Sequence, residues 1–220
     1  MQEVEQELVE FIQMSKDKRF DIFMGRILKS ESTALDIPTI LHTAWAARIL
    51  ANTLPSKHVD ISSSVYFNTL VSAFIPIDFY DYRPLKISLP GLRAGYADLN
   101  KLPFKDNSIP SLSCMHVIEH IGLGRYGDPL DPEGDLKAIA ELKRVISRDL
   151  LYVVPIGQLP AVIFNLHRIY RYEQVISYFE DLKLMEFALI NDAGDIITGA
   201  TKELADKQTY GCGCFWFRKD

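Results

Sequence analysis

Apolar residues follow two different spacings along this chain of 220 residues. Short apolar runs typical of buried β-strands occupy residues 59–61, 73–79, 87–89, 111–115, 150–154, 184–190 and 214–217. Between several of these runs, apolar residues recur every three or four positions, which predicts amphipathic helices. Strands that alternate with helices indicate an α/β fold with a mainly parallel sheet and helices on both faces.

The helical spacing places helices over residues 2–14 and 37–54 and around Leu142 and Phe179. Asp135 directly precedes the third of these and is predicted to be its N-cap, because a short carboxylate satisfies the first backbone N–H groups of a helix. No internal repeat and no low-complexity linker divides the chain. We expect the helices of residues 1–54 to pack on the sheet of a single compact α/β domain, residues 55–220.

Charge and composition exclude several classes of protein. A net charge of −5 and a pI of about 5.6 argue against a nucleic-acid partner, because general nucleic-acid binders present basic faces. The N-terminal residues lack the basic and apolar regions of a signal peptide. The longest uncharged stretch, residues 150–166, contains prolines and reads as a strand and a loop, not a membrane span. We therefore expect a soluble, cytoplasmic protein.

The three cysteines do not form a disulfide framework, which agrees with a reducing compartment. Cys212 and Cys214 lie in a Gly-Cys-Gly-Cys-Phe-Trp-Phe run, but as a metal pair they lack two further ligands at suitable spacing. We expect a terminal core strand there and no bound metal. His42 and Trp45 are expected to help their helix pack on the sheet.

Polar residues cluster where predicted strands end. Ligands of a parallel α/β sheet bind outside the carboxyl ends of the strands, near the switch in strand order. The residues at such positions are Asp60 with Ser62, Ser63 and Ser64, then Asp78, Asp81, Asp98, residues 116–120 and residues 155–157. The segment 98–135 is the densest, because three ionisable side chains precede a loop rich in glycine, proline and aspartate. The sequence therefore predicts a site at this edge of the sheet.

Two motifs within residues 55–220 resemble those of a known superfamily. Asp98, Leu102-Pro103-Phe104, Asp106 and Ser108 follow an Asp-x-x-x-Leu-Pro-Phe-x-Asp-x-Ser pattern, and residues 140–146 follow a Leu-x-Glu-x-x-Arg-Val-Leu helix. Both patterns resemble class I S-adenosylmethionine-dependent methyltransferases. The HVIEHIGLGRYGDPLDPEGD segment looks most like a branch of that superfamily known as a family of unknown function from bacteria and nematodes.

The resemblance implies a Rossmann-like sandwich and a cofactor site for S-adenosylmethionine. It places Asp98 and Leu99 at the adenine and Asp81, or less readily Asp78, at the ribose hydroxyls. The superfamily's Asp-x-Gly-x-Gly-x-Gly motif falls on residues 60–66, so Ser62 and Ser64 replace two glycines beside Asp60, and Tyr66 replaces the third. Tyr66 could fill the space that the cofactor's amino-acid end takes.

Three hypotheses compete for His116, Glu119 and His120. In the first, an imidazole near the transferred group acts as general base and Glu119 orients it. In the second, His-x-x-Glu-His is the inverzincin signature, which binds zinc from the middle of a helix. In the third, a structural role, the Glu-His pair caps the helix after the fourth strand and shapes the cofactor pocket. Under the first and third hypotheses, His120 is the expected pocket residue.

The loop at residues 122–134 is read as a candidate lid or substrate loop, or else as a plain connection. Arg125 could clamp an anionic group, Tyr126 could stack on a ring, and Asp128 accompanies them. His167 and Arg168 are expected to face the same region.

These residues lead to one functional hypothesis and two alternatives. The first is methyl transfer from S-adenosylmethionine to an oxygen or nitrogen of a small molecule or sugar. The second is a repurposed domain that kept the fold and lost the cofactor. The third is a zinc hydrolase built on the His-x-x-Glu-His motif.

Overall fold

A computed structural model describes residues 36–125 and 127–220, together with Gln6 and Gln13, both helical and exposed. The chain divides into two compact units, Met1–Leu35 and Asp36–Asp220, and the second contains the fold. The rest of the predicted helix over residues 2–14 lies outside the described residues, as does Tyr126. No helix within the described parts is long and apolar enough to cross a bilayer.

Helices and strands alternate through the second unit. The helices are α1 (Ile37–Thr53), α2 (Val65–Val71), α3 (Gly134–Val145), α4 (Tyr172–Tyr178) and α5 (Lys202–Ala205), with a 3-10 turn at Ile118–His120. The strands are β1 (His58–Ile61), β2 (Ile77–Asp81), β3 (Leu92–Tyr96), β4 (Ile109–Met115), β5 (Ile146–Ile156), β6 (Ala161–Ile163), β7 (His167–Ile169), β8 (Lys183–Ile190), β9 (Ile196–Ile197) and β10 (Gly211–Arg218).

One eight-stranded sheet organises the unit in the order β3-β2-β1-β4-β5-β10-β8-β9. The strands β3, β2, β1, β4 and β5 are parallel, and β10 runs antiparallel between β5 and β8. The strand order reverses between β1 and β4, which is where an open α/β sheet opens a crevice for ligands. The predicted α/β fold with a mainly parallel sheet is confirmed.

Apolar side chains fill both faces of this sheet. On one face Leu142 and Val145 of α3 join a core that includes Tyr152 of β5. On the other face Trp45 and Leu50 of α1 pack with residues of α2, β5 and β8. Burying one such leucine fully contributes about 1.5–3 kcal/mol, so each helix is held mainly by its apolar face. The Trp45 Nε1–H also donates to Glu186 at 2.8 Å, which ties α1 to β8.

The predicted elements were wrong in three places. The run 87–89 is not a strand, because the chain turns at Gly91 (φ 77°) and the third strand follows as β3. Strand β2 begins at Ile77, later than the predicted residue 73. Asp135 is not an N-cap, since Glu133 takes that position and Asp135 is buried where it accepts the Tyr170 hydroxyl at 2.9 Å.

A chain of buried polar side chains crosses β4 and β1. His58 is fully buried, with Nδ1 2.7 Å from the Ser111 hydroxyl and Nε2 2.8 Å from the Ser113 hydroxyl. Ser113 donates its proton to Asp60, so its oxygen must accept from the His58 Nε2–H. Burial lowers the pKa of His58 to about 3, so the ring is neutral near pH 7 and Nδ1 accepts from the Ser111 hydroxyl.

This network predicts a pH dependence of stability. Because the pKa of His58 is depressed from 6.5 to about 3 on folding, the unfolded chain takes up a proton first as pH falls. We expect this group to lower the free energy of unfolding by about 1.4 kcal/mol per pH unit below pH 6.5. Urea unfolding at several pH values should show a shallower acid loss for His58→Gln than for the wild type. Ser111→Ala, which keeps the imidazole, serves as the control, and parallel curves for wild type and His58→Gln would contradict the assignment.

Candidate active site

A cavity of about 470 Å³ opens at the carboxyl edge of the parallel strands. Its walls come from the residues that follow β1, β2, β3 and β4 and from the loop at residues 121–131. The lining includes Ser62, Asp81, Asp98, Leu99, His116, His120 and Asp128, all of which were predicted from the sequence. This volume lies within the range of small-molecule and cofactor sites.

The turn after β1 contains a serine in a backbone conformation that is usual for glycine. Ser62 has φ 57°, in the left-handed region, and its N–H donates to the Tyr80 carbonyl at 2.8 Å. A non-glycine residue there costs on the order of 1–2 kcal/mol and persists where its surroundings fix it. Ser62 thus holds a backbone conformation that glycine adopts more readily.

Asp60 lies beneath this turn and outside the cavity lining. It is fully buried and accepts from the Ser63 N–H at 3.1 Å and from Asn68 Nδ2 at 2.9 Å. Burial raises the pKa of Asp60 to about 6, although these hydrogen bonds act to lower it. Asp60 therefore anchors the turn and the start of α2, and a direct role in ligand binding is not supported.

Two further residues of this motif lie away from the cavity. Ser64 occupies the N-cap position of α2, where its carbonyl accepts from Asn68 Nδ2 at 3.1 Å, and it is not part of the lining. Tyr66 is 84% exposed, so the expectation that it fills the cofactor space was wrong.

Two carboxylates face the cavity from neighbouring strand ends. Asp81 ends β2 and accepts the Arg83 N–H at 2.6 Å; Asp98 follows β3 and accepts the Asn100 N–H at 2.9 Å. In each case the Oδ1 atom is held in a local turn, which fixes the orientation of the carboxylate. Leu99, buried beside Asp98, contributes an apolar wall.

The two motifs recognised in the sequence are joined in space by Arg144. Its guanidinium donates to the Leu102 carbonyl at 3.0 Å and the Phe104 carbonyl at 2.7 Å. It also pairs with Glu141 at 2.7 Å, and Glu141 in turn accepts the Leu102 N–H at 2.7 Å. Helix α3 thereby holds the Leu-Pro-Phe turn directly behind the cavity residues 98–100.

His116 directly follows β4 and has a left-handed backbone conformation, with φ 56°. Its Nδ1 lies 2.7 Å from Glu119 Oε1 and its Nε2 lies 3.2 Å from the Cys212 sulfur. Burial disfavours the imidazolium, but Cys212 and Glu119 outweigh it and raise the pKa of His116 well above its usual range. Glu119 is itself buried, and its Oε2 has no hydrogen-bond partner among the described residues.

His120 reaches the cavity from the 3-10 turn. Its Nδ1 lies 2.6 Å from the Leu166 carbonyl, so this nitrogen carries the proton and Nε2 has the lone pair. Arg125 donates to the same carbonyl at 3.1 Å. Burial lowers the pKa of His120, which keeps the ring neutral near pH 7.

Residues 121–122 and 128–131 of the loop form a hydrogen-bonded wall of the cavity. The Gly122 N–H donates to Asp128 Oδ2 at 2.8 Å, and the Gly122 carbonyl accepts from the Asp131 N–H at 2.9 Å. Lys137 of α3 pairs with Asp131 at 2.6 Å, and both residues line the cavity. The sequence analysis did not predict this pair, although the two residues are only six positions apart across the start of α3.

The remaining predicted loop residues have other roles. Arg168 is buried and donates to the Ile121 carbonyl at 2.6 Å and the Pro132 carbonyl at 3.2 Å, so it fastens the loop and does not face the cavity. His167 packs against Tyr210 with the rings tilted by 34° and their centroids 5.0 Å apart, and it is also outside the lining.

The inverzincin hypothesis does not fit this geometry. It requires both histidines on one helix, whereas His116 follows a strand in a left-handed conformation and His120 ends a single 3-10 turn. A different cluster is present instead: ligand atoms of His42, His116 and Cys212 all lie within 4.8 Å of one another. No sequence motif marks this cluster, because its members lie on elements that are far apart along the chain.

Solved structures with a similar arrangement of strands and helices include methyltransferases and a cyclase. N-methyltransferase NodS from Bradyrhizobium japonicum WM9, in complex with S-adenosylhomocysteine, is 14% identical with a TM-score of 0.55, covering 85% of this chain and 89% of NodS. A Galdieria sulphuraria protein assigned as a sarcosine dimethylglycine methyltransferase is 12% identical with a TM-score of 0.58, covering 82% of this chain and 86% of that one. The chain has the class I methyltransferase fold.

This fold also serves another reaction. The [4+2]-cyclase SpnF is 13% identical to the chain with a TM-score of 0.55, covering 80% of this chain and 81% of SpnF. Identities this low establish the methyltransferase fold and leave the reaction to be argued from the site.

Sequence comparison gives one family. A family profile described as "Caenorhabditis protein of unknown function, DUF268" matches residues 106–189, which include β4, the 3-10 turn, the cavity loop, α3 and β5. No curated protein matches the chain significantly. The match agrees with the resemblance seen in the HVIEHIGLGRYGDPLDPEGD segment.

Proposed function

We propose that this protein transfers a methyl group from S-adenosylmethionine to an oxygen or nitrogen atom of a small molecule or sugar. One observation carries the proposal: a single cavity unites Ser62, Asp81 and Asp98 with the imidazole of His120. Hydrogen-bond acceptors suited to a nucleoside thus line the same cavity as a neutral imidazole that can act as a general base. This cavity lies where the strand order reverses.

The residues present fit the cofactor. Carboxylates at the ends of adjacent strands suit ribose hydroxyls and an exocyclic amine, and Asp81 and Asp98 hold these positions. Leu99 offers an apolar surface for a ring, while Ser62 keeps the backbone conformation in which a glycine would let a ligand approach. When bound, S-adenosylmethionine supplies an electrophilic methyl group on a sulfonium.

His120 then supports transfer as a general base. Its Nδ1–H is held by the Leu166 carbonyl, so Nε2 is the basic nitrogen that would take the acceptor's proton. The Glu119 Oε1 lies 3.8 Å from Nε2 and would stabilise the imidazolium that results. The lowered pKa of His120 means that the base is neutral at pH 7 and would be lost only on acidification.

Binding of the cofactor is the first test. Isothermal titration calorimetry with S-adenosylmethionine and S-adenosylhomocysteine should show binding to the wild type. We expect Asp81→Ala and Asp98→Ala each to weaken it about tenfold or more, since each removes a charged hydrogen-bond acceptor. Asp78→Ala is the matched control, because Asp78 lies on the same strand as Asp81 but pairs with Lys57 at 2.9 Å, outside the cavity.

A folded wild-type sample that gives no heat with either ligand would overturn the proposal. The alternative is then a repurposed domain, for which the serine at position 62 and the shared fold of a cyclase are the supporting observations. Binding that survives in both cavity variants would place the cofactor elsewhere and would equally reject the site.

A further inference from the structure

Three side chains that are far apart in the sequence converge behind the cavity wall. His42 comes from the first turns of α1, His116 from the end of β4 and Cys212 from the start of β10. Their ligand atoms lie within 4.8 Å of one another, with 3.2 Å between His116 Nε2 and Cys212 Sγ. The rings of His42 and His116 are tilted by 56° with centroids 5.0 Å apart. We call these three residues the His-His-Cys cluster.

Hydrogen bonds on the outer side of the cluster orient both imidazole rings. His42 Nδ1 lies 2.7 Å from the Pro38 carbonyl, and His116 Nδ1 lies 2.7 Å from Glu119 Oε1. Each Nδ1 therefore carries a proton. Each Nε2 is then the ring atom that a metal ion can take, beside the Cys212 sulfur. A cation would bind all three atoms together, in place of the protons that they hold without it.

We propose that the His-His-Cys cluster is a zinc site formed by His42 Nε2, His116 Nε2 and Cys212 Sγ. Two imidazoles and a thiolate form a ligand set that a borderline-soft divalent ion prefers over hard cations such as Mg²⁺. On binding, the thiol proton and any proton on His116 Nε2 pass to solvent, and the sulfur and the two nitrogens bond to the ion. Three protein ligands leave the fourth tetrahedral position for water or another small ligand.

The surroundings of the cluster match those of histidine metal ligands. Such histidines donate the second ring N–H to a carboxylate or a backbone carbonyl, which fixes the tautomer. Glu119 does this for His116 and the Pro38 carbonyl does it for His42. His116 also adopts its left-handed conformation at the strand end, a strain of the kind retained at functional sites. His42 and Cys212 are buried, so water competes poorly at the centre.

The site would connect the ion to the cavity. His116 is both a member of the cluster and part of the cavity lining. Glu119 Oε1 contacts His116 Nδ1 at 2.7 Å and lies 3.8 Å from His120 Nε2. The ion would therefore position Glu119, and through it His120, while it ties α1 to β4 and β10. Zinc binding itself needs no cofactor, so its test is independent of the proposed methyl transfer.

Zinc titration of the reduced, chelator-stripped protein tests the proposal directly. We expect one Zn²⁺ per chain by calorimetry and a raised melting temperature. Co²⁺ should bind the same site and produce a thiolate-to-cobalt charge-transfer band in the near ultraviolet. A folded wild-type chain that binds neither ion would overturn the proposal. A parallel titration with copper that shows binding, while zinc does not bind, would also overturn it.

Variants identify the ligands. Cys212→Ala should remove the charge-transfer band, and His42→Gln should weaken zinc binding about 100-fold or more. Glu119→Gln should weaken it about 10- to 100-fold, the usual effect of losing the carboxylate partner of a ligating histidine. Cys114→Ala is the matched control, since Cys114 is equally buried but lies outside the cluster. An unchanged band in Cys212→Ala, or its loss in Cys114→Ala, would contradict the assignment.

Discussion

Gly122→Ala is expected to destabilise the chain by about 2–5 kcal/mol and to disrupt the outer wall of the cavity. Gly122 has φ 77°, so any side chain there is strained. A Cβ atom would also lie 2.1 Å from the Asp131 carbonyl oxygen, and backbone cannot yield as a side-chain end can. Asp131 must move, and the hydrogen bond between its N–H and the Gly122 carbonyl at 2.9 Å is lost with it.

Gly127→Ala provides the matched control for this substitution. Gly127 has nearly the same backbone conformation, φ 78°, but a Cβ there meets nothing within 4 Å. Gly127→Ala should therefore lower the free energy of unfolding only by the cost of the left-handed conformation, about 1–2 kcal/mol. The difference between the two variants therefore isolates the contact with Asp131.

Two measurements check the prediction. Urea unfolding gives the free energies, and hydrogen exchange reports the amides of Asp131 and Gly122, which should lose protection in Gly122→Ala alone. S-adenosylhomocysteine binding, if present in the wild type, should fall with them. Equal stability and equal protection in the two variants would show that the loop is not held as described.

Hydrophobic runs predicted the central strands well because those strands are buried on both faces. Strands β4 and β5 are almost wholly buried, and their apolar composition follows directly from that position. Strand β3, by contrast, reads Leu-Arg-Ala-Gly-Tyr and is largely exposed, so composition carried little signal. The strand was identifiable only from its pairing with β2, which is a long-range property.

Position after a strand predicted some of the residues that reach the cavity, but it did not predict which side chains are held by partners elsewhere in the fold. Asp81, Asp98 and His120 reach it as expected. Arg168 does not, because its donors are taken by two loop carbonyls that lie 47 and 36 residues away. The His-His-Cys cluster was missed for the same reason, since 96 residues separate His116 from Cys212.

Replacing Arg168 distinguishes a structural from a substrate-binding role. Arg168→Met is expected to lower the free energy of unfolding by about 3–5 kcal/mol, because it leaves a buried partner charge uncompensated. Arg168 Nε lies 3.5 Å from Asp135, and both side chains are less than 10% exposed. The Ile121 and Pro132 carbonyls lose their donors in the same step.

A second substitution, at Asp135, tests whether the loss of stability comes from the unpaired carboxylate. Asp135→Asn removes the unpaired charge but can still accept from the Tyr170 hydroxyl, which lies 2.9 Å from the carboxylate. The double variant should therefore be more stable than Arg168→Met alone, by an interaction energy of about 1–3 kcal/mol in a double-mutant cycle. Arg171→Met is the control, because Arg171 is exposed and donates to the Gln158 carbonyl at 3.0 Å. If Arg168 bound substrate instead, Arg168→Met would keep wild-type stability. Asp135→Asn would then bring no gain in stability in the double variant, because the first substitution would not have left a buried charge unpaired.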